Sequence, residues 1–360
     1  MLNPDPFYSP GAYDPEQIPD QPPAEKQPWL RRFGSVRLPW GKTQDLVPID
    51  ILNNSKPSEL RLVESVKKEK AEQLEQGIYV PKLLEHLDLH ARMDNEKVRH
   101  AQLPASSKFW IYIQIFGKGG LIILSPFIFF SCLAVASIME GDYLSSFFEV
   151  LFEVSVYFIF PPLIMWGVGS LIINHFPKLW IKPSRGPLWE FNRRTGLVTV
   201  FDYDNNGEYK KNGSIGEKIA PFYEFDAYIT TTPDRQGLPN NVLCVVHRYQ
   251  DIWINMANFV GPSGSTSVPC ALWDYLQNYM DISKPLPDTP ELEAYRHLDP
   301  TTAEHDSQIG REPRYWRDMD DATFKAKVRE ITERLPQINT FNRPNLMAQH
   351  VSYGLSDSRK

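Results

Sequence analysis

The sequence predicts an α+β membrane protein: a two-helix transmembrane hairpin, a cytosolic antiparallel β-barrel or sandwich closed by a helix, and helical flanks. Three observations carry this expectation. Residues 119–139 (GGLIILSPFIFFSCLAVASIM) and 154–173 (VSVYFIFPPLIMWGVGSLII) contain no charged side chain. Residues 186–256 consist of short β-type runs separated by turn residues. On both sides, apolar residues recur at helical spacing among many charges. The 360 residues then divide into a Pro-rich disordered arm (1–45), a helical cytosolic segment (46–107), the hairpin (108–176), a β-rich domain (177–285) and a polar helical tail (286–360).

The arm carries eight prolines in its first thirty residues, a composition that forms neither a regular helix nor a sheet ladder. A helix is expected from Pro57 to Gln76, stopped by Gly77, with Glu64, Lys67, Lys68 and Glu72 on a solvated surface. A second is expected from Pro81, carrying Leu83, Leu84 and Leu87.

Each uncharged run has about the twenty residues that span a hydrocarbon core of roughly 30 Å. The first begins far along the chain, so it reads as an anchor rather than a cleaved leader. Lys97, Arg99, Lys108 and Lys118 precede the pair, Lys178, Lys182 and Arg185 follow it, and the intervening loop carries Glu140 and Asp142. This charge bias predicts a multi-pass inner-membrane protein with both termini cytoplasmic. Trp110, Tyr112, Trp166 and Trp180 suit the interfaces, and Pro161-Pro162 predicts a kink in the second span.

In the β-rich domain, LWEF and LVTVFDY flank the turn NRRTG, PFYEFDAYITT and VLCVVHRY flank a longer loop, and IWINM follows closely. Five to seven strands in an antiparallel barrel or sandwich fit that spacing. Ala271 to Met280 then reads as the closing helix, with Leu272, Tyr275, Leu276 and Tyr279 on one face. In the tail, Asp320 and Asp321 open a helix whose Phe324, Val328, Ile331 and Leu335 form an apolar stripe ended by Pro336.

A net charge of −6 and a pI near 5.8 argue against nucleic acid as a partner. Cys132, Cys244 and Cys270 form no CxxC pair, which suits a reducing compartment and offers no zinc or disulfide pattern. The segment FDYDNNGEYKKNG (201–213) opens with Asp202, Asp204, Asn206 and Gly207 like a calcium loop. Counting from Asp202, however, position nine is Lys210 and position twelve is Gly213, where the bidentate glutamate belongs. Asn206-Gly207 therefore reads as a hairpin tip. WGKT (40–43) lacks the first glycine of a phosphate loop, since Val36 stands there. His86 and His90 stand four residues apart without a third ligand, and GPSGS (261–265) does not fit GxSxG. No catalytic, cofactor or metal motif is complete, so a non-enzymatic protein is expected.

Two sets of residues retain functional readings. Glu149 and Glu153 lie one helical turn apart near the outer start of the second span. Carboxylates at membrane depth handle protons or cations, whereas a helix effectively starting near Val154 would leave both in the interface. Arg193, Arg194, Lys210 and Lys211 fall on neighbouring expected hairpin tips and could form a basic rim for a partner protein or an anionic lipid surface.

The order of hairpin, WEFNRRTGLVTVFD, PFYEFDAYI and a tryptophan-bearing closing helix resembles the bacterial PH-like membrane proteins over residues 108–282. With the Pro-Trp stretch before them, these segments also resemble an uncharacterised proteobacterial membrane protein family of type VI secretion loci. That resemblance implies an immunity or accessory protein beside a type VI effector, binding a protein partner from the membrane. It brings no catalytic residues with it. The alternatives are an ion-coupled transport or channel component working through Glu149 and Glu153, or a lipid-surface sensor working through a PH-like barrel.

Overall fold

The computed structural model describes residues 7–24, 34–81, 90–139, 141–182, 184, 186–203, 211, 213 and 215–353. Its strands are β1 (Gly34–Leu38), β2 (Arg92–Met93), β3 (Lys97–Ala101), β4 (Pro187–Asn192), β5 (Leu197–Asp202), β6 (Gly216–Pro221), β7 (Phe225–Pro233), β8 (Pro239–His247) and β9 (Trp253–Asn255). Its helices are α1 (Ile49–Asn53), α2 (Pro57–Glu75), α3 (Ala105–Ala136), α4 (Tyr143–Phe158), α5 (Phe160–His175), α6 (Pro177–Trp180), α7 (Ser267–Met280), α8 (Pro300–Ile309) and α9 (Asp321–Arg334). They fall into two units: Met1–Tyr79 with Ala91–His100 and Pro187–Lys360, and Val80–His90 with Ala101–Gly186.

The first unit is α+β. Two antiparallel sheets run in the orders β1-β7-β8-β9 and β2-β3-β4-β5-β6. The strand runs read from sequence appear as β4, β5, β7, β8 and β9. The β4–β5 turn is set by Gly196 at φ +72°, where a side chain would be strained. Trp189 and Phe191 of β4, Phe225, Ala227 and Ile229 of β7, and Leu243 and Val245 of β8 share one buried core with Leu272, Trp273 and Leu276 of α7. Fully buried phenylalanines such as Phe191, Phe222 and Phe225 stabilise the fold by about 1.5–3 kcal/mol each. At its centre Trp40 meets Trp273 edge to face at 4.7 Å, and its indole N–H donates to the Phe225 carbonyl at 3.2 Å.

Several expectations are corrected here. The arm is not disordered over its described residues: Tyr13, Ile18 and Ala24 are buried, and β1 pairs with β7 from Gly34↔Thr231 to Leu38↔Ala227. Proline rules out ladders and helices but not irregular packing. The Ser9 N–H donates to the Arg194 carbonyl at 2.8 Å, and the Ile282 N–H to the Tyr13 carbonyl at 3.1 Å. Gly196 is needed a second time here, because a Cβ there would lie 2.9 Å from Ala12 Cα.

Residues 46–107 are not wholly helical either. α2 begins at the expected Pro57, and Gly77 takes φ +69° just beyond its end, but β2 and β3 follow with Val98 fully buried. The helix expected from Pro81, with Leu83, Leu84, His86 and Leu87, lies at 82–89, outside the described residues. β6 was hidden because Glu217, Lys218 and Ile219 are all exposed, which leaves no alternation to read. α7 begins at Ser267 and is buried from Pro269 to Met280, not along one face. In the tail, Asp320 caps α9 by accepting from the Ala322 and Thr323 N–H groups, while Phe324 and Leu335 are buried as expected.

The second unit packs α4 and α5 against α3. α3 is long and apolar enough to cross a membrane, with a mean hydropathy of 2.2 over its most apolar stretch. α4 and α5 reach that standard only as a pair, and they are bent by 49° at Ile159, beside Pro161-Pro162. α3 and α5 approach closely at small residues. A Cβ on Gly117 would meet the Pro162 carbonyl at 2.8 Å, and one on Gly169 would meet the Gln114 nitrogen at 2.9 Å. Further along α3, Ile128, Cys132 and Ala136 pack on Phe147, Val150, Leu151 and Val154 of α4. Large apolar side chains stay exposed, among them Ile123 at 70% and Phe127 at 72%.

Candidate functional site

The four cations of the expected rim do not form one surface. Arg193 has no exposed area. Its Nε donates to Asp299 Oδ1 at 3.0 Å and its Nη2 to Asp299 Oδ2 at 3.3 Å. Nη1 donates to the carbonyls of Tyr279 (2.6 Å) and Asp281 (2.8 Å), and Nη2 to that of Lys284 (2.7 Å). All five guanidinium N–H donors are thereby used within the chain. Arg193 is therefore withdrawn as a partner or lipid contact: it ties the β4–β5 turn to the end of α7 and to Asp299, the N-cap of α8. Arg194 stays half exposed, 3.6 Å from Glu96 and 5.5 Å from the Phe7 ring centroid. Lys211 is exposed, and Lys210 lies outside the described residues. The same holds for Asp204, Asn206 and Gly207; the antiparallel pairing Asp202↔Gly216 places their segment between β5 and β6.

WGKT and the polar side of α7 meet, a role that neither segment signals in the sequence. Gly41 and Lys42 take φ of +79° and +45°, turning the chain sharply after the buried Trp40. Three side chains of α7 hold that turn. Gln277 Oε1 accepts the Gly41 N–H at 2.8 Å, Asp274 Oδ2 the Gln44 N–H at 3.0 Å, and Asn278 Oδ1 the Thr43 hydroxyl at 2.5 Å. Arg343 closes the far side, with Nη1 2.6 Å from Asp274 Oδ1 and Nη2 donating to the Pro39 carbonyl at 2.8 Å. Burial pushes the Asp274 carboxyl above the usual carboxylate range, against the pull of Arg343. The glycine-lysine pair thus serves packing; its nearest sequence signal, the phosphate-loop fragment, points elsewhere.

Two cavities flank this clasp. One of about 370 Å³ is lined by Lys42, Gln277, Ser283, Lys284, Asn345 and Gln349, among others. The other, of about 390 Å³, takes in Asp45, Asn278, Asp288, Arg296, His305 and Arg311. Thr43 and Lys284 line both, and Lys284 Nζ donates to Thr43 Oγ1 at 3.0 Å between them. Arg296 is already committed: Nε and Nη2 each lie 2.7 Å from a different oxygen of Asp306. Arg311 is likewise held by Asp288 at 2.7 Å. Lys284, half exposed, also lies 3.7 Å from Asp281, so what this cleft offers a ligand is Lys42 beside Glu16, amide side chains and an apolar wall of Pro15, Pro344 and Leu346. No pattern in the sequence links these scattered residues.

In the helical unit, Glu149 and Glu153 both lie inside α4, which starts at Tyr143 on the N-cap Asp142. The start expected near Val154 is corrected by eleven residues, and both carboxylate side chains are exposed.

Comparison of the chain with models of known protein families, with curated proteins and with solved structures finds no match in any of the three.

Proposed function

We propose that this is a bacterial inner-membrane protein, anchored through α3 and the bent α4–α5 pair with both termini cytoplasmic, which binds a partner protein through its α+β unit. More narrowly, it acts as a non-enzymatic immunity or accessory protein of a type VI effector, the role implied by its family resemblance. The observation that carries the anchor is the apolar surface of the helical unit, where Ile123, Phe127, Phe130 and Phe152 are all more than three-fifths exposed. Such a surface is stable in lipid and not in water. Two antiparallel sheets followed by the closing helix α7 support a PH-like reading of the other unit.

A protein partner is favoured over an anionic lipid surface because Arg193 is spent inside the fold, leaving Arg194 and Lys211 of the described rim. The cleft around Lys284 is the better partner surface. The test is co-purification from detergent with the product of the neighbouring effector gene, together with the sensitivity of a deletion strain to that effector. Complex formation that is lost in Lys42→Glu/Lys284→Glu supports the reading. A strain that is no more sensitive, with no complex formed, refutes it.

A further inference from the structure

We infer that the outer face of α4, bearing Glu149 and Glu153, is a docking face for a membrane helix of another protein that carries a lysine or arginine at matching depth. The inference rests on the membrane placement proposed above and adds a second contact to it. Depth follows from register. Gln114 and Gly117 of α3 lie against Gly169 and Pro162 of α5, so the two helices run antiparallel. α4 continues along α3, where Phe147, Val150, Leu151 and Val154 pack on Ile128, Cys132 and Ala136. Glu149 and Glu153 are interleaved with those packing residues. They therefore lie level with Ile128–Ala136, inside the uncharged run 119–139 rather than at its edge.

Their direction follows from the same helix. The residues that pack on α3 occupy one side, and Glu149 and Glu153 fall on the other at 100° per residue. Their neighbours there, Phe148 (61% exposed), Phe152 (69%) and Val156 (40%), are apolar, so the two carboxylates interrupt a surface suited to lipid. Charges at such depth face a cavity or a partner group.

Charge complementarity selects the partner. Among the described residues, α3, α4 and α5 carry as basic groups only Lys108, Lys118 and His175, all toward the end where α3 meets α5. Lys118 stands ten residues, about 15 Å, from Ile128. A second copy of this chain would insert in the same orientation and bring its own cations to that same far end. It would set carboxylate against carboxylate. A helix from a different protein with a basic residue near mid-membrane supplies what these three helices lack at this depth.

The test uses the full chain in lipid vesicles with two model transmembrane helices, identical except for a central lysine or a central leucine, and reads association by energy transfer. The lysine helix should associate about tenfold more tightly than the leucine helix. Glu149→Gln/Glu153→Gln should abolish the difference, and each single change should reduce it. Equal association of both helices overturns the inference, as does a homodimer that forms through α4 and persists in the double variant. Labelling of Glu153→Cys by a membrane-impermeant maleimide separates the two levels of the reading. If it labels as readily as Asp142→Cys while alkaline carbonate leaves the chain in the vesicles, the docking face is wrong and the anchor stands. If carbonate releases the chain, the anchor itself is wrong.

Discussion

In the α+β unit, charges that leave water meet partners from the same chain, whereas in the helical unit large apolar side chains remain on the outside. Arg193 with Asp299 (3.0 Å), Arg248 with Asp226 (2.8 Å) and Arg343 with Asp274 (2.6 Å) are three of the internal pairs of the first unit. No ion pair involves Glu149 or Glu153 among the described residues of the second. The difference teaches how to read a charge. In a unit that buries itself, a charged residue in a turn can be a structural tie. In a unit buried by lipid, as proposed for α3 to α5, an outward charge has to be answered from outside.

The largest effect is expected at Arg193. Arg193→Ala leaves the Asp299 carboxylate and three carbonyls without their guanidinium, and the expected loss is about 3–5 kcal/mol. Thermal unfolding of the purified chain in detergent measures it. Glu153→Ala should leave the unfolding of the α+β unit unchanged. An unaltered midpoint for Arg193→Ala would contradict its role as a tie.

The next effect belongs to the helical unit. Gly117→Leu forces bulk into the approach of α3 to Pro162 and Trp166, and overpacking of this kind costs about 1–3 kcal/mol. Denaturation in mixed detergent micelles should show the loss. Gly167→Leu, where nothing lies within 4 Å of the added Cβ, should not.

What was legible in the sequence is what is local. The proline and glycine bounding α2, the Asp320 cap of α9 and the Gly196 turn all act within a few residues of themselves. The parts that escaped depend on contacts across the chain. Tyr13 and Trp40 are buried by segments about two hundred residues away, and neither stands in a periodic run. The polar side of α7 gives no local sign of contact, because the partners of Asp274, Gln277 and Asn278 at Gly41 to Gln44 are 230 or more residues distant. Arg193 and Arg194 are adjacent in the same turn, and only the fold separates the buried one from the exposed one. Of the candidate site, Glu149 and Glu153 could be named from sequence, but their level along α3 needed the start and packing of α4.

A smaller effect, in pH, sharpens the account of the self-buried unit. His247 Nδ1 accepts the N–H groups of Tyr249 (3.0 Å) and Gln250 (2.9 Å), and its other ring nitrogen faces Glu224 at 2.8 Å. This arrangement holds a neutral ring, and burial lowers its pKa below the usual histidine value. The unfolded chain therefore binds the extra proton first as pH falls below about 6.5. Stability should be level above that point and decline below it, by at most about 1.4 kcal/mol per pH unit. His247→Gln should flatten this decline relative to the parent chain between pH 5 and 7; parallel curves would show that the ring is not held neutral.

The smallest effect is expected at the remaining rim. Arg194 reaches Glu96 only at 3.6 Å with both side chains partly exposed, and Lys211 is exposed. Arg194→Ala/Lys211→Ala should change stability by no more than about 0.5 kcal/mol. Two half-solvated cations also attract an anionic membrane weakly, each contributing about 1 kcal/mol even when close to the surface. Flotation of the full chain cannot isolate this term, because the proposed anchor of α3 to α5 would hold it in any vesicle. Salt-sensitive quenching of a fluorophore at Thr195→Cys by labelled anionic headgroups can. Quenching that rises with anionic lipid and falls in the double variant would restore a lipid role to this turn; no change would leave the Lys284 cleft as the surface to pursue.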